Sequence, residues 1–303
     1  MEELFNDDFV KYNTIEHLKL ALQNLRSLDL SQANAEQVHN AYYSCLNVLP
    51  SLNGFYSVKK FNAFNFYRVR LNIDAEKEDI GLIQTYSYPP SEYCFNNGRA
   101  NLKKKSVFYC SNCALTAVLE SKPKVGDVGY LSVWQGRSIK DVKAGIILPR
   151  DLKRDNIWQG LSEDAHSFFE NYLLESKNEK ASFYQEIVNF IADLFITERR
   201  PYPITSWIAN EMIYGSKWKD FIVYPSFVND AFSCNLAIHP NTVNNCLLFT
   251  KVIKFKVLEI GGGGLRFSTG HLGEITNTNI QWRKAKAEEE VDFSLFPHSM
   301  DSK

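Results

Sequence analysis

An α+β fold is predicted by two observations. Apolar residues recur at helical spacing over residues 1–60 and 162–197, and short strand-type runs of alternating or continuous apolar residues lie between and after them. At 303 residues the chain can form one large domain or a domain with an extension. Its 45% hydrophobic and 23% charged residues are ordinary for a sequence that buries a core.

In chain order, Asn13 with Glu16 predicts a capped helix carrying Ile15, Leu18, Leu22 and Leu25. Asn34 with Gln37 predicts a second carrying Val38, Tyr42, Cys45, Leu46 and Leu49. Pro50 to Gly54 ends the pair, so residues 1–60 read as a helical extension packed against the body that follows. From Phe61 the period falls to two: Phe64, Phe66, Arg68 and Arg70 alternate with Asn65, Tyr67 and Val69, and 106–109 and 129–134 are further strand candidates. Between the last two, Asn112 is positioned to cap a helix through Ala114, Ala117 and Val118, placing Glu120 near its C-terminal end. Ser162 and the box Ser182 to Gln185 cap the helical stretch at 162–197, which Pro201 and Pro203 stop before a short helix over 205–213. Strands are expected at 221–224 and 247–260, then a turn at Gly261 to Gly264. The main body is thus 61–284, and 285–303 reads as a charged, partly disordered tail.

Composition excludes several classes. Lysine plus arginine total 34 against 35 aspartate plus glutamate, so no global field draws the chain to nucleic acid or to an anionic membrane, and any anion site must be local. No apolar run approaches the roughly 20 residues of a membrane span. The acidic start, Met1 to Asp8, is unlike a signal peptide, so a cytoplasmic location is expected. The six cysteines make no dense disulfide framework. Cys110 and Cys113 have a metal-type spacing, but no second close pair of Cys or His accompanies them, so they are read as packed thiols with no metal bound. The four-glycine run lacks the Gly-Lys-Ser/Thr ending of a phosphate loop, and Lys103 to Lys105 read as a solvated turn.

Chemistry is carried by polar residues at the edges of apolar segments: Phe66-Tyr67-Arg68-Val69, Gly98-Arg99-Ala100-Asn101, Val107-Phe108-Tyr109-Cys110-Ser111, Ala114 to Glu120, Tyr224-Pro225-Ser226 and Asn235 to Ile238. In order and spacing these resemble the RES domain, over roughly residues 61–260. Alanine at position 100 and the longer stretch between Arg68 and Arg99 depart from its usual pattern. The resemblance implies an ADP-ribosyltransferase-like mixed β core and an NAD-cleaving activity. It further implies a toxin role in a toxin–antitoxin pair, opposed by a helix-turn-helix antitoxin protein.

The residue types suit such chemistry. Breaking the nicotinamide–ribose bond leaves an oxocarbenium-like sugar that a fixed carboxylate stabilises, and Glu120 is the candidate, though a helix-end glutamate is ordinarily just solvated. Arg99 and Arg68 offer planar forks to pyrophosphate or an attacking phosphate. Tyr109 offers an aromatic face and a hydroxyl, and Ser226 and Asn235 offer hydrogen bonds to the substrate. The expected catalytic residues are therefore Arg99, Glu120 and Tyr109, and the substrate-binding residues Arg68, Ser226 and Asn235. NAD is the substrate and no cofactor is expected. With inorganic phosphate as acceptor the enzyme is an NAD+ phosphorylase; protein ADP-ribosylation, hydrolysis by water, and a non-catalytic NAD-binding module are the alternatives.

Overall fold

The computed structural model describes residues 11–152, 156–175, 181–215, 217–226, 228, 233–261, 264–276 and 279–286. Two helices come first, α1 (Ile15–Ser27) and α2 (Ala35–Cys45). Asn34 and Gln37 form the expected capping box on α2, whereas α1 is capped by Thr14, whose hydroxyl accepts from His17 N at 3.3 Å, and not by Asn13. Either residue type can cap; Thr14 is the one with extended backbone directly before the first helical turn.

The extension is not wholly helical. Strand β1 (Leu52–Tyr56) alternates buried and exposed residues and forms one edge of a ten-stranded sheet, followed by the short helix α3 (Val58–Asn62). Leu18 and Leu25 of α1 and Tyr42 of α2 are fully buried in the same apolar core as helices α6 (Ala181–Thr197) and α7 (Pro203–Ile213). Burial of each such side chain is worth about 1.5–3 kcal/mol.

The remaining strands are β2 (Asn65–Leu71), β3 (Phe108–Ser111), β4 (Val128–Gly136), β5 (Val142–Ile146), β6 (Phe221–Pro225), β7 (Cys234–Ile238), β8 (Leu247–Gly261), β9 (Gly264–Thr276) and β10 (Asn279–Lys284). Their spatial order is β1-β5-β6-β7-β3-β2-β4-β8-β9-β10, antiparallel throughout except for β5 beside β6. The chain is therefore α+β, as its periodicities predict. Gly261 and Gly264 are the facing ends of the β8–β9 hairpin, and the two glycines between them lie outside the described residues. Strands β9 and β10 escape the sequence reading because Gly270, Gly273 and interspersed polar residues break their alternation.

Three further expectations are corrected. Helix α5 (Gln159–Glu175) begins before Ser162, whose hydroxyl donates to Pro149 O at 2.7 Å from inside the helix, and Asn156 accepts from Trp158 N ahead of the first turn. Ser182 lies inside α6. Helix α4 (Ala114–Glu120) starts from Cys113 with no side-chain cap; Asn112, the expected cap, is turned to the Trp158 indole, from which it accepts at 2.9 Å. The expected tail lies outside the described residues apart from Ala285 and Lys286.

One joint in the sheet sets up the site. Strand β2 pairs with β4 along its whole length, but it meets β3 at a single position, Tyr67 opposite Ser111. Away from that pair the Arg68 guanidinium, not a backbone N–H, reaches the Tyr109 carbonyl, at 3.0 Å. A cleft opens where the ladder is missing.

Candidate active site

The cleft is a cavity of about 530 Å³ lined by β2, β3, β6, β7, the end of α4, the turn at Gly98 and the α6–α7 connection. Of the six expected site residues, Arg68, Arg99, Tyr109, Glu120 and Asn235 line it; Ser226 lies behind it and touches Glu120.

Glu120 is the last residue of α4. A carboxylate at a helix C-terminus meets the negative end of the peptide dipoles, so its place must be secured by donors. Two supply it: Ser226 Oγ donates to Oε1 at 2.8 Å, and Asn235 Nδ2 donates to the same oxygen. The other oxygen, Oε2, has no hydrogen-bond partner among the described residues. Both donors are set by the sheet. Ser226 is completely buried directly after β6, where its N–H continues the ladder to Ser233 O at 3.0 Å. Asn235 stands on β7 between Tyr224 and Ser111.

On the opposite wall, Gly98 and Asn101 exchange backbone hydrogen bonds of 2.9 and 3.3 Å and present Arg99 between them. Glycine is required there, because a Cβ at position 98 would fall 2.3 Å from Asn101 Oδ1 and 2.5 Å from the Tyr109 hydroxyl. That hydroxyl accepts from Ala100 N and donates to Asn101 Oδ1, both at 2.8 Å. Burial raises the Tyr109 pKa, keeping the phenol neutral. Its hydroxyl thus organises the turn that carries Arg99, and its ring lines the cavity. Ala100 is 1% exposed in the helical core, which accounts for a small residue beside Arg99.

Arg99 Nη1 donates to Phe195 O at 2.6 Å, and its guanidinium lies 4.7 Å from the centre of the Tyr202 ring. Arg68 sits over Phe108 at 5.6 Å, and its Nε is a buried donor with no partner among the described residues. Burial, then the like charge of Arg70, lowers the Arg68 guanidinium to about 10, still cationic at neutral pH. Arg70 itself is committed to Glu78, with Nη2 to Oε1 at 2.8 Å.

Lys122, Arg199 and Arg200 also line the cavity, so five cationic side chains face one carboxylate. Arg199, Arg200 and Tyr202 are not legible in the sequence, where residues 199–203 read only as a helix stop and the adjacent Arg-Arg pair is the available signal; Lys122 stands two residues after Glu120 with no motif of its own. Lys103 to Lys105 are exposed on a turn and do not line the cavity. Among the described residues no group of three or more His, Cys, Asp or Glu is placed to hold a metal ion. All six cysteines are unpaired thiols, and Cys110 beside the cavity is buried with its pKa raised by that burial.

The arrangement combines a cationic lining for a polyanion with one carboxylate oriented through a single oxygen. No family model matches the chain, and no curated protein matches it.

Proposed function

We propose that the protein is an NAD+ phosphorylase of ADP-ribosyltransferase-like fold, acting as the toxin of a toxin–antitoxin pair in the cytoplasm. The observation that carries this reading is the pairing, in one cavity, of five cationic side chains with a carboxylate pinned at Oε1 by Ser226 and Asn235. Arg68 and Arg99 hold the anionic oxygens of the dinucleotide and of the incoming phosphate, the buried Arg68 Nε gaining the acceptor it lacks. Glu120, through Oε2, stabilises the positive charge that develops on the ribose as the bond from C1″ to the nicotinamide nitrogen breaks. The electron pair leaves with nicotinamide, which becomes neutral, and a phosphate oxygen bonds to C1″, giving ADP-ribose 1″-phosphate. NAD is the substrate, and no cofactor enters.

Uncontrolled consumption of NAD requires restraint, for which a helix-turn-helix antitoxin protein is the partner of this reading. No helix among the described residues is long and apolar enough to cross a membrane. Transfer to a protein side chain, hydrolysis by water, and an NAD-binding module without catalysis remain the competing readings. The test is liquid chromatography of purified, partner-free protein incubated with NAD and phosphate. Nicotinamide release is expected; unchanged NAD after long incubation of folded protein would overturn the proposal.

A further inference from the structure

We propose that Glu198, which does not line the cavity, is a positioning residue for the anion site and acts through Arg99. The proposal rests on the reading of the cavity as a pyrophosphate-binding site.

Glu198 follows the end of α6, and its carboxylate caps the next helix. Oε1 accepts from Ile204 N and Oε2 from Thr205 N, both at 2.9 Å, and the Thr205 hydroxyl also donates to Oε2. These bonds close residues 198–205 into a ring that begins just after α6 and ends on α7. An acidic group at the N-terminus of α7 is favourable in itself, but the consequence for the cavity lies inside the ring. Tyr202 has left-handed backbone angles, φ 60° and ψ 47°, a conformation disfavoured for any residue with a Cβ and kept only where the surroundings dictate it. Here Tyr202 N donates to Arg199 O at 3.0 Å, Ser206 N donates to Tyr202 O at 3.1 Å, and the Glu198 carboxylate ties the first turn of α7 back to α6.

The turn so held puts the Tyr202 ring against the Arg99 guanidinium. Among the described residues Arg99 has one other anchor, the carbonyl of Phe195 on α6, three residues before Glu198. One of these two contacts, the Tyr202 ring, belongs to the α6–α7 connection and the other to the last turn of α6, and Glu198 is the side chain that ties the connection back to that turn. Arg199 and Arg200, the two cavity-lining cations inside the ring, are carried by the same lock. Neutralising Glu198 removes one of two carboxylate acceptors and opposes an amide to backbone donors, so the turn relaxes and Arg99 loses its orientation while keeping its charge.

A double-mutant cycle tests this, read by calorimetric binding of inorganic pyrophosphate and, separately, of nicotinamide. Glu198→Gln is expected to weaken pyrophosphate binding by about tenfold and to leave nicotinamide binding within about twofold. In an Arg99→Ala background the same change should have a clearly smaller effect, because Arg99 is gone and only the contribution of Arg199 and Arg200 is left. Thr205→Val, which keeps the backbone cap and removes only the hydroxyl, should give a smaller loss of the same kind and stands in if Glu198→Gln does not fold. Equal pyrophosphate affinity in wild type and variants, parallel loss of both ligands, additive effects in the cycle, or no pyrophosphate binding by the wild-type protein would each overturn the proposal. None of these readouts needs turnover, so a wild-type protein that leaves NAD intact would sink the proposed activity and not this assignment.

Discussion

Glu120 is held by the sheet, through Ser226 at the end of β6 and Asn235 on β7, whereas Arg99, Arg199 and Arg200 ride on connections between elements. On the first wall the strand ladder fixes both donors, and little can move without breaking backbone pairing. On the second, a four-residue turn and an interhelical link are held by side chains: Tyr109 for the Gly98 turn, Tyr202 and Glu198 for the link. On the proposed function, a rigid wall suits a group whose work is in the transition state, and an adaptable wall suits groups that first receive a flexible dinucleotide.

If that division holds, the largest effect belongs to the sheet-held wall. Glu120→Gln should lower kcat by about 100- to 1000-fold while changing NAD affinity little, since its charge acts on the developing cation and not on the ground-state dinucleotide. Wild-type turnover in this variant would remove Glu120 from the chemistry. On the other wall the loss should appear in binding. Arg99→Lys keeps the charge but loses the planar fork and its stacking on Tyr202, and a rise of about tenfold in KM for NAD with a smaller change in kcat is expected from steady-state kinetics. A fall in kcat alone would erase the contrast between the walls. Ser226→Ala should have the smallest effect. It removes one of two donors to Glu120 Oε1, a contribution of about 1–2 kcal/mol, and so lowers kcat by about 5- to 30-fold with Asn235 still in place. An effect as large as that of Glu120→Gln would mean that Ser226 itself touches the reacting atoms.

The same contrast governs what was legible in the sequence. Arg68, Tyr109, Glu120 and Ser226 stand in or at the edges of strands and a helix that the periodicity announces, and the resemblance carried by their order and spacing suggested one site; Asn235 stands on β7, a strand the periodicity does not announce. Arg199, Arg200 and Tyr202 sit where Pro201 and Pro203 announce only that a helix has ended; nothing in the local pattern says that the turn folds back over Arg99. The role of Glu198 was equally hidden, because a glutamate five residues before a proline-started helix matches no capping box. It is brought to Ile204 and Thr205 by the reversal of the chain, not by spacing. Caps were the weakest sequence signal in general. Thr14 replaces Asn13, and Asn112 turns to Trp158 instead of capping α4, because polar side chains next to a helix start have several partners within reach and tertiary packing selects among them. The split between β2 and β3, which makes room for the cavity, is likewise a property of strand pairing that no single strand reveals.

The acceptor is tested most directly by phosphorus NMR of the wild-type protein with NAD, in phosphate-free buffer and with millimolar phosphate added. Cationic side chains that hold a small oxyanion beside the anomeric carbon let phosphate compete with far more abundant water. NAD consumption should therefore rise with phosphate and produce the resonance of a phosphate ester on the anomeric carbon of ADP-ribose. An undiminished rate without phosphate that yields plain ADP-ribose, or NAD that stays intact in both samples, would contradict the proposed phosphorolysis.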